Sequence, residues 1–312
     1  MGPTASKNLR PTGEPTCQDV GNIVHLEHIN LNVPDQTLAA IFYRRGLGLT
    51  IDDPKDRERS EEELSSTRQI WYNIGRQQFH IIKEPEAQVL AGRIHLYTPK
   101  LQALLSRLAA VAPRLAGTRF AFGQLIPSKE DLPSCFEVTC PWGNKFVVWG
   151  SNPVAGAQMD TGIACIEVRC ARGAGAHIQA FYAEVLGARA HHRAEGRQGG
   201  MFAGQAGCDV SVGPATLLAF CEHEDGPEEY TGWHVALYVV NFSESFNATE
   251  RRGLILNDHP YADKCNNLEE ALVNSQFRFQ DICGPDGTLV IRFQHEVRSM
   301  YHPRYMLPLF QN

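Results

Sequence analysis

The chain has 312 residues, 43% hydrophobic and 21% charged, which suits two globular domains with their own cores. A formal net charge of -6 argues against a nucleic-acid partner, because phosphate binding requires a positive surface. There is no apolar run of about 18 residues to span a membrane. Nine scattered cysteines without a Cys-x-x-Cys pair, and no signal-peptide pattern at Met1, imply reduced thiols in a cytoplasmic protein.

Residues 1–20 are polar and rich in Pro and Gly, and read as a disordered tail. In Ile23-Val-His-Leu-Glu-His-Ile-Asn-Leu-Asn-Val33, apolar and polar side chains alternate over much of the length, which predicts a strand with two differently lined faces. His28 and Asn30 share one face; His25 and Glu27 share the other. Pro34-Asp35 ends that strand and Asp35 can cap a helix over 37–45, which Gly46-Leu-Gly48 terminates. The charged stretch 52–66 reads as a solvated loop, and Ile70–Ile74 and Gln78–Ile82 as a hairpin turning at Gly75-Arg76.

The order then repeats. A strand at 93–97, a helix over 99–115 with an apolar stripe, and strands at 136–139 and 145–149 flank the turn Pro141-Trp-Gly-Asn144. A linker over 152–161 leads to a second series: a strand at 163–170, a helix at 177–186, a hairpin around Gly213-Pro214, a strand from Trp233, and a closing hairpin between 277 and 293. Phe42-Tyr43 recurs as Phe181-Tyr182, Leu96-Tyr97 as Leu237-Tyr238, and Cys140-Pro-Trp-Gly143 as Gly284-Pro-Asp-Gly287. Three pairs in one order, spaced near 140 residues, predict two copies of one domain, at 21–151 and 162–297, with a C-terminal tail at 298–312. The fold class expected is α+β, with four β-α-β-β(β) units, two per domain.

Leu26-Glu-His-Ile-Asn-Leu-Asn-Val33, Phe42-Tyr followed by Gly46-Leu-Gly48, and Trp71-Tyr-Asn-Ile-Gly-Arg-Gln-Gln-Phe-His80 together resemble the opening of a vicinal oxygen chelate domain. The turns at 140–144 and 283–287 resemble its closing turn. That superfamily includes glyoxalase I, extradiol dioxygenases and bleomycin resistance proteins. The resemblance implies two tandem domains, each of two paired βαβββ modules curling around a cavity. It implies a shared scaffold rather than a shared reaction.

Carried over residue by residue, the family's metal-ligand positions fall on His28, His80, Arg93 and Val147 in the first domain. In the second domain they fall on Cys165, Leu218, His234 and Ile291. The first-choice site is a divalent metal (Zn, Fe, Mn or Ni) on His28 and His80, because neutral imidazoles suit these ions. His234 and Glu137 are weaker candidates, the latter requiring a one-residue slip of register. Arg93 and Asn30 are candidate substrate-binding residues, Arg93 through its rigid fork for a carboxylate or phosphate. His95 is assigned to the opposite face from Arg93 and read as structural. The segment from His295 is placed outside the module pattern.

The expected function is that of a metal-dependent enzyme acting on a small oxygen-rich substrate. Isomerase or lyase chemistry is placed before dioxygenase chemistry, since no carboxylate ligand is found. The alternative is a metal-free small-molecule-binding protein, like the bleomycin-binding relatives. Neither nucleic acid nor membrane is an expected partner, and homodimerisation is left open.

Overall fold

The computed structural model describes residues 19–311 apart from 130–131, 155–159, 197–198, 228 and 260. Residues 1–18 of the expected tail and 155–159 of the expected linker lie outside the described residues. Four modules follow in order. The first holds β1 (Ile23–Val33), β2 (Thr50–Ile51), β3 (Gln69–Ile74) and β4 (Gln77–Lys83). The second holds β5 (Gly92–Tyr97), β6 (Ala121–Phe122), β7 (Cys135–Thr139) and β8 (Lys145–Trp149). The third holds β9 (Gly162–Ala171), β10 (Ala190–Arg193), β11 (Gly207–Ser211) and β12 (Leu217–His223). The fourth holds β13 (His234–Val239), β14 (Gln276–Cys283) and β15 (Leu289–Ser299).

Local chemistry accounts for the helices. Asp35 Oδ1 accepts from the Thr37 amide at 2.8 Å and from the Leu38 amide, satisfying two of the first-turn donors. The helix Gln36–Ala39 continues as a π-helical stretch, Ala40–Gly46, and Gly48 follows in the left-handed region with φ +74°. In the helix Leu101–Val111, Leu101, Leu104, Leu108 and Val111 form the buried stripe. The charged stretch after Asp52 contains two single-turn helices, Pro54–Arg57 and Glu63–Ser66, rather than loop alone.

The modules do not pair in chain order. The seven-stranded sheet runs β14-β15-β13-β1-β4-β3-β2, and so joins the first module to the fourth. The eight-stranded sheet runs β10-β11-β12-β9-β5-β8-β7-β6, and joins the second to the third. The two seams are the antiparallel pairs β1/β13 and β5/β9. Any site built across a seam therefore draws its residues from distant parts of the chain.

One face of each sheet is covered by helices. There Phe42, Tyr43, Phe79 and Phe146 form one aromatic cluster, and Phe181, Tyr182, Phe279 and His295 another. His295 is fully buried, stacks on Phe279 and shares a hydrogen bond with the Tyr182 hydroxyl at 2.5 Å. The eight described cysteines are all free and buried. No described helix is long and apolar enough to cross a membrane.

Candidate metal centre

Along β15 the side chains alternate: His295 and Val297 enter the core, while Glu296 and Arg298 face a cavity of about 1300 Å³ on the other side of the seven-stranded sheet. β15 pairs in parallel with β13, and β13 antiparallel with β1. This places Glu296 opposite Ala236, Ala236 opposite His28, and His234 opposite Asn30. One ligating atom each from His28, His234 and Glu296 lie within 4.8 Å of one another, and all three residues are buried.

His28 is prepared for this position. The register of β1 against β13 shifts between Leu26 and His28, so Glu27 is not carried to the far side of the sheet. Its Oε2 accepts from His28 Nδ1 at 2.8 Å. Burial alone would raise the Glu27 carboxyl; the His28 hydrogen bond and the Arg298 charge overcome this and hold it at about 2. His28 is itself pushed below the ordinary histidine range by burial, so it is neutral at pH 7. With the proton on Nδ1, the Nε2 lone pair is free, and Nε2 is buried without a partner among the described residues. Nδ1 of His234 is also buried and unpartnered among the described residues, while its Nε2 lies 3.3 Å from Arg278 Nη1 and 3.5 Å from Glu296 Oε2. Burial depresses His234 to about 4, against the raising effect of Glu296.

Glu296 is an ionised carboxylate in a charged chain. Arg278 bridges it to Asp263, the latter contact being 2.7 Å, and Arg298 bridges it to Glu27. Burial would raise its pKa, but the two guanidinium groups hold it well below the usual carboxylate range. The donor set fits a divalent ion: two neutral imidazoles with buried, unpartnered nitrogens, one carboxylate, and a second carboxylate orienting one imidazole.

The sequence-predicted residues divide between the two sheets. His28, Asn30, His80 and His234 all line the large cavity. The His80 ring lies 5.7 Å from that of His28, centroid to centroid, but stacks on Trp71 at 3.7 Å and its Nε2 meets Gln69 Oε1 at 3.3 Å. It stands beside the three-residue cluster rather than in it. The placement of Arg93 and Glu137 beside His28 is corrected: they lie on β5 and β7 of the other sheet, because the second module pairs with the third. Arg93 Nε donates to Glu167 Oε2 at 2.8 Å, and Glu137 lies 3.7 Å from Arg93 Nη1. His95 is corrected too: two residues from Arg93 in a strand, it shares that face and reaches Glu167 at 2.9 Å. Cys165 and Leu218 are buried in the same sheet, and Ile291 and Val147 are apolar.

Glu296 escapes the sequence reading because that reading seeks the ligand four residues past the turn glycine, at Ile291. β15 instead runs eleven residues, against five for β8, and its register against β14 shifts twice. The signal available is the alternation of Gln294, Glu296 and Arg298 with Phe293, His295 and Val297.

Comparison with solved structures finds the same fold at low identity. Glyoxalase I from Zea mays is 13% identical and superposes with a TM-score of 0.53, covering 88% of this chain and 92% of that one. A variant of the maize protein with one glutamate replaced by glutamine gives a TM-score of 0.56 at 12% identity, over 88% and 93%. A putative dioxygenase from Bacillus subtilis gives 0.52 at 11% identity, over 91% and 87%. No family model and no curated protein matches the sequence. The chain has the vicinal oxygen chelate fold, with an α+β architecture of tandem modules.

Proposed function

We propose that this chain, which has the vicinal oxygen chelate fold, is a divalent-metal-dependent enzyme whose ion is held by His28, His234 and Glu296. The observation that carries the reading is the convergence of these three buried side chains across the β1/β13 seam, two of them with unpartnered ring nitrogens. When bound, the ion would supply Lewis acidity to a substrate offering two adjacent oxygens.

The chain's own residues do the rest. Glu27 keeps His28 in one tautomer and one orientation. Arg278 and Arg298 fix Glu296 and neutralise its charge in the buried sheet. His80 is held well below the ordinary histidine range by burial, so it is neutral, though a weaker base than a free imidazole. Its plane is set by the stack on Trp71, facing the cavity beside the cluster. In the isomerase or lyase branch of this reading, His80 would take a proton from the bound substrate. Glu296 supplies the carboxylate missing from the sequence-based ligand set. A two-histidine, one-carboxylate site is also what non-haem iron oxygenases use, which keeps the dioxygenase branch in play.

A second reading rests on a different observation. Glu296 is already paired with two arginines, so its charge is balanced without an ion. This supports a metal-free small-molecule-binding protein on the same fold.

Metal content by mass spectrometry separates the two readings. The untagged wild type should carry near-stoichiometric metal, lost in the variant combining His28→Ala and His234→Ala. Absence of metal after incubation with Fe, Mn, Ni and Zn would discard the enzyme reading in favour of the binder.

A further inference from the structure

The spacings that align the two halves of the chain also carry the candidate ligand positions onto the other sheet. The offset of 139 that takes Phe42-Tyr43 to Phe181-Tyr182 takes His28 to Glu167. The offset of 141 that takes Leu96-Tyr97 to Leu237-Tyr238 takes Arg93 to His234. Where the first cavity has two imidazoles, the second therefore has an ion pair, Arg93 Nε to Glu167 Oε2 at 2.8 Å. The parallel register that sets Glu296 opposite Ala236 sets Val147 opposite His95. His95 has no nitrogen to spare: Nδ1 accepts from Trp149 Nε1 at 3.2 Å, so Nε2 carries the proton and donates to Glu167. This site is not built for a cation.

Its charge is built for the opposite sign. The cavity beside Arg93 and Glu167 has a volume of about 550 Å³, the size of a small-molecule pocket. Arg93, Arg119, Lys145 and Arg169 line it against only two carboxylates, Glu137 and Glu167. The large cavity of the other sheet has three arginines against four glutamates. Neither Arg119 nor Lys145 has a carboxylate within ion-pair distance among the described residues. Arg119 lies across the turn at Gly143, where φ is +112° and an added Cβ would stand 3.1 Å from its Nη1. The glycine thus leaves room for the guanidinium at the cavity wall. With Nε committed to Glu167, Arg93 is locked in direction and keeps its Nη groups for a bidentate contact, one of them only loosely engaged with Glu137 at 3.7 Å.

We propose that this second cavity binds a small anion, a phosphate- or carboxylate-bearing molecule, on Arg93, Arg119 and Lys145. The proposal is independent of the metal reading. Calorimetric titration of the full chain with inorganic phosphate, and separately with succinate, tests it and tells the two anion chemistries apart. At least one should bind saturably at one site. Binding should weaken about tenfold or more in the variant combining Arg119→Ala and Lys145→Ala, since the two side chains supply charge-assisted contacts. It should be unchanged in Arg68→Ala, which alters the other cavity. Both side chains of the double variant lie outside the core, and an unchanged unfolding midpoint checks its fold. No saturable binding of either anion would overturn the proposal. So would binding that survives the double substitution, or that is lost in Arg68→Ala.

Discussion

Glu27 and His28 are sequence neighbours whose side chains meet at 2.8 Å, Oε2 to Nδ1. In a regular strand they would point to opposite faces; the irregular register of β1 against β13 turns them to the same side. The consequence is an imidazole, held by the Glu27 carboxylate, that faces the cavity. Glu27→Gln should leave the fold intact and weaken metal binding about 10- to 100-fold, the usual cost of losing such an orienting carboxylate. Competition against a fluorescent chelator measures it. Unchanged affinity would remove Glu27 from the site's machinery.

His80 and His234 should separate cleanly in the same assay. His234 belongs to the three-residue cluster, whereas His80 is held on Trp71 with Nε2 toward Gln69. His80→Ala is expected to retain near-stoichiometric metal, with affinity close to that of the wild type. His234→Ala is expected to lose affinity by about 100-fold or more, beyond the range seen for residues that only orient a ligand. Loss of metal in His80→Ala would restore the pairing of His28 with His80 suggested by the sequence.

The scaffold is legible in the sequence because its signals are local. Phe42-Tyr43 and Phe181-Tyr182 mark equivalent helices, and the alternation in β1 places His28 and Asn30 on the cavity face. Partnering between modules is not local. The β1/β13 seam joins Ile23 to Val239 and Asn30 to His234, and no short-range pattern says that the first module pairs with the fourth rather than the second. Arg93 and Glu137 lie apart from His28 for that reason. Glu296 is lost to a counting rule anchored at the turn, which assumes a strand as short as β8; the extra length of β15 makes the rule fail.

That extra length also launches the C-terminal segment across the sheet. Tyr305 packs on Tyr238 of β13, Arg304 Nη2 donates to Gln78 Oε1 of β4 at 2.8 Å, and the Phe310 carbonyl accepts from Thr50 of β2 at 2.6 Å. The Arg304 guanidinium lies 4.4 Å from the centre of the Trp71 ring, which also stacks on His80 and meets the edge of His28. Arg304→Ala should cost about 1–2 kcal/mol, from one hydrogen bond and one cation–π contact. It should also alter tryptophan fluorescence, because Trp71 loses a packed cation. Urea unfolding followed by fluorescence reads both; an unchanged midpoint would show the segment to be loosely held.

The same segment carries a pH dependence whose sign can be worked out. Burial first, then the positive charge of Arg298, lowers His302 from 6.5 to about 4. Its Nδ1 accepts from the Arg304 amide at 3.2 Å, a bond the protonated ring cannot make there. Above pH 6.5 the ring is neutral in both folded and unfolded chains and contributes no pH dependence. Between 6.5 and about 4 the unfolded chain takes up a proton that the folded chain refuses, so stability falls as the pH falls. His302→Gln keeps an oxygen acceptor for the Arg304 amide and removes the titration. Its urea midpoint should therefore decline less steeply than that of the wild type from about pH 7 to about pH 5. Other buried histidines act on both proteins alike, so the difference in slope isolates this residue. Parallel slopes would mean that His302 is protonated as easily in the folded chain as in the unfolded one.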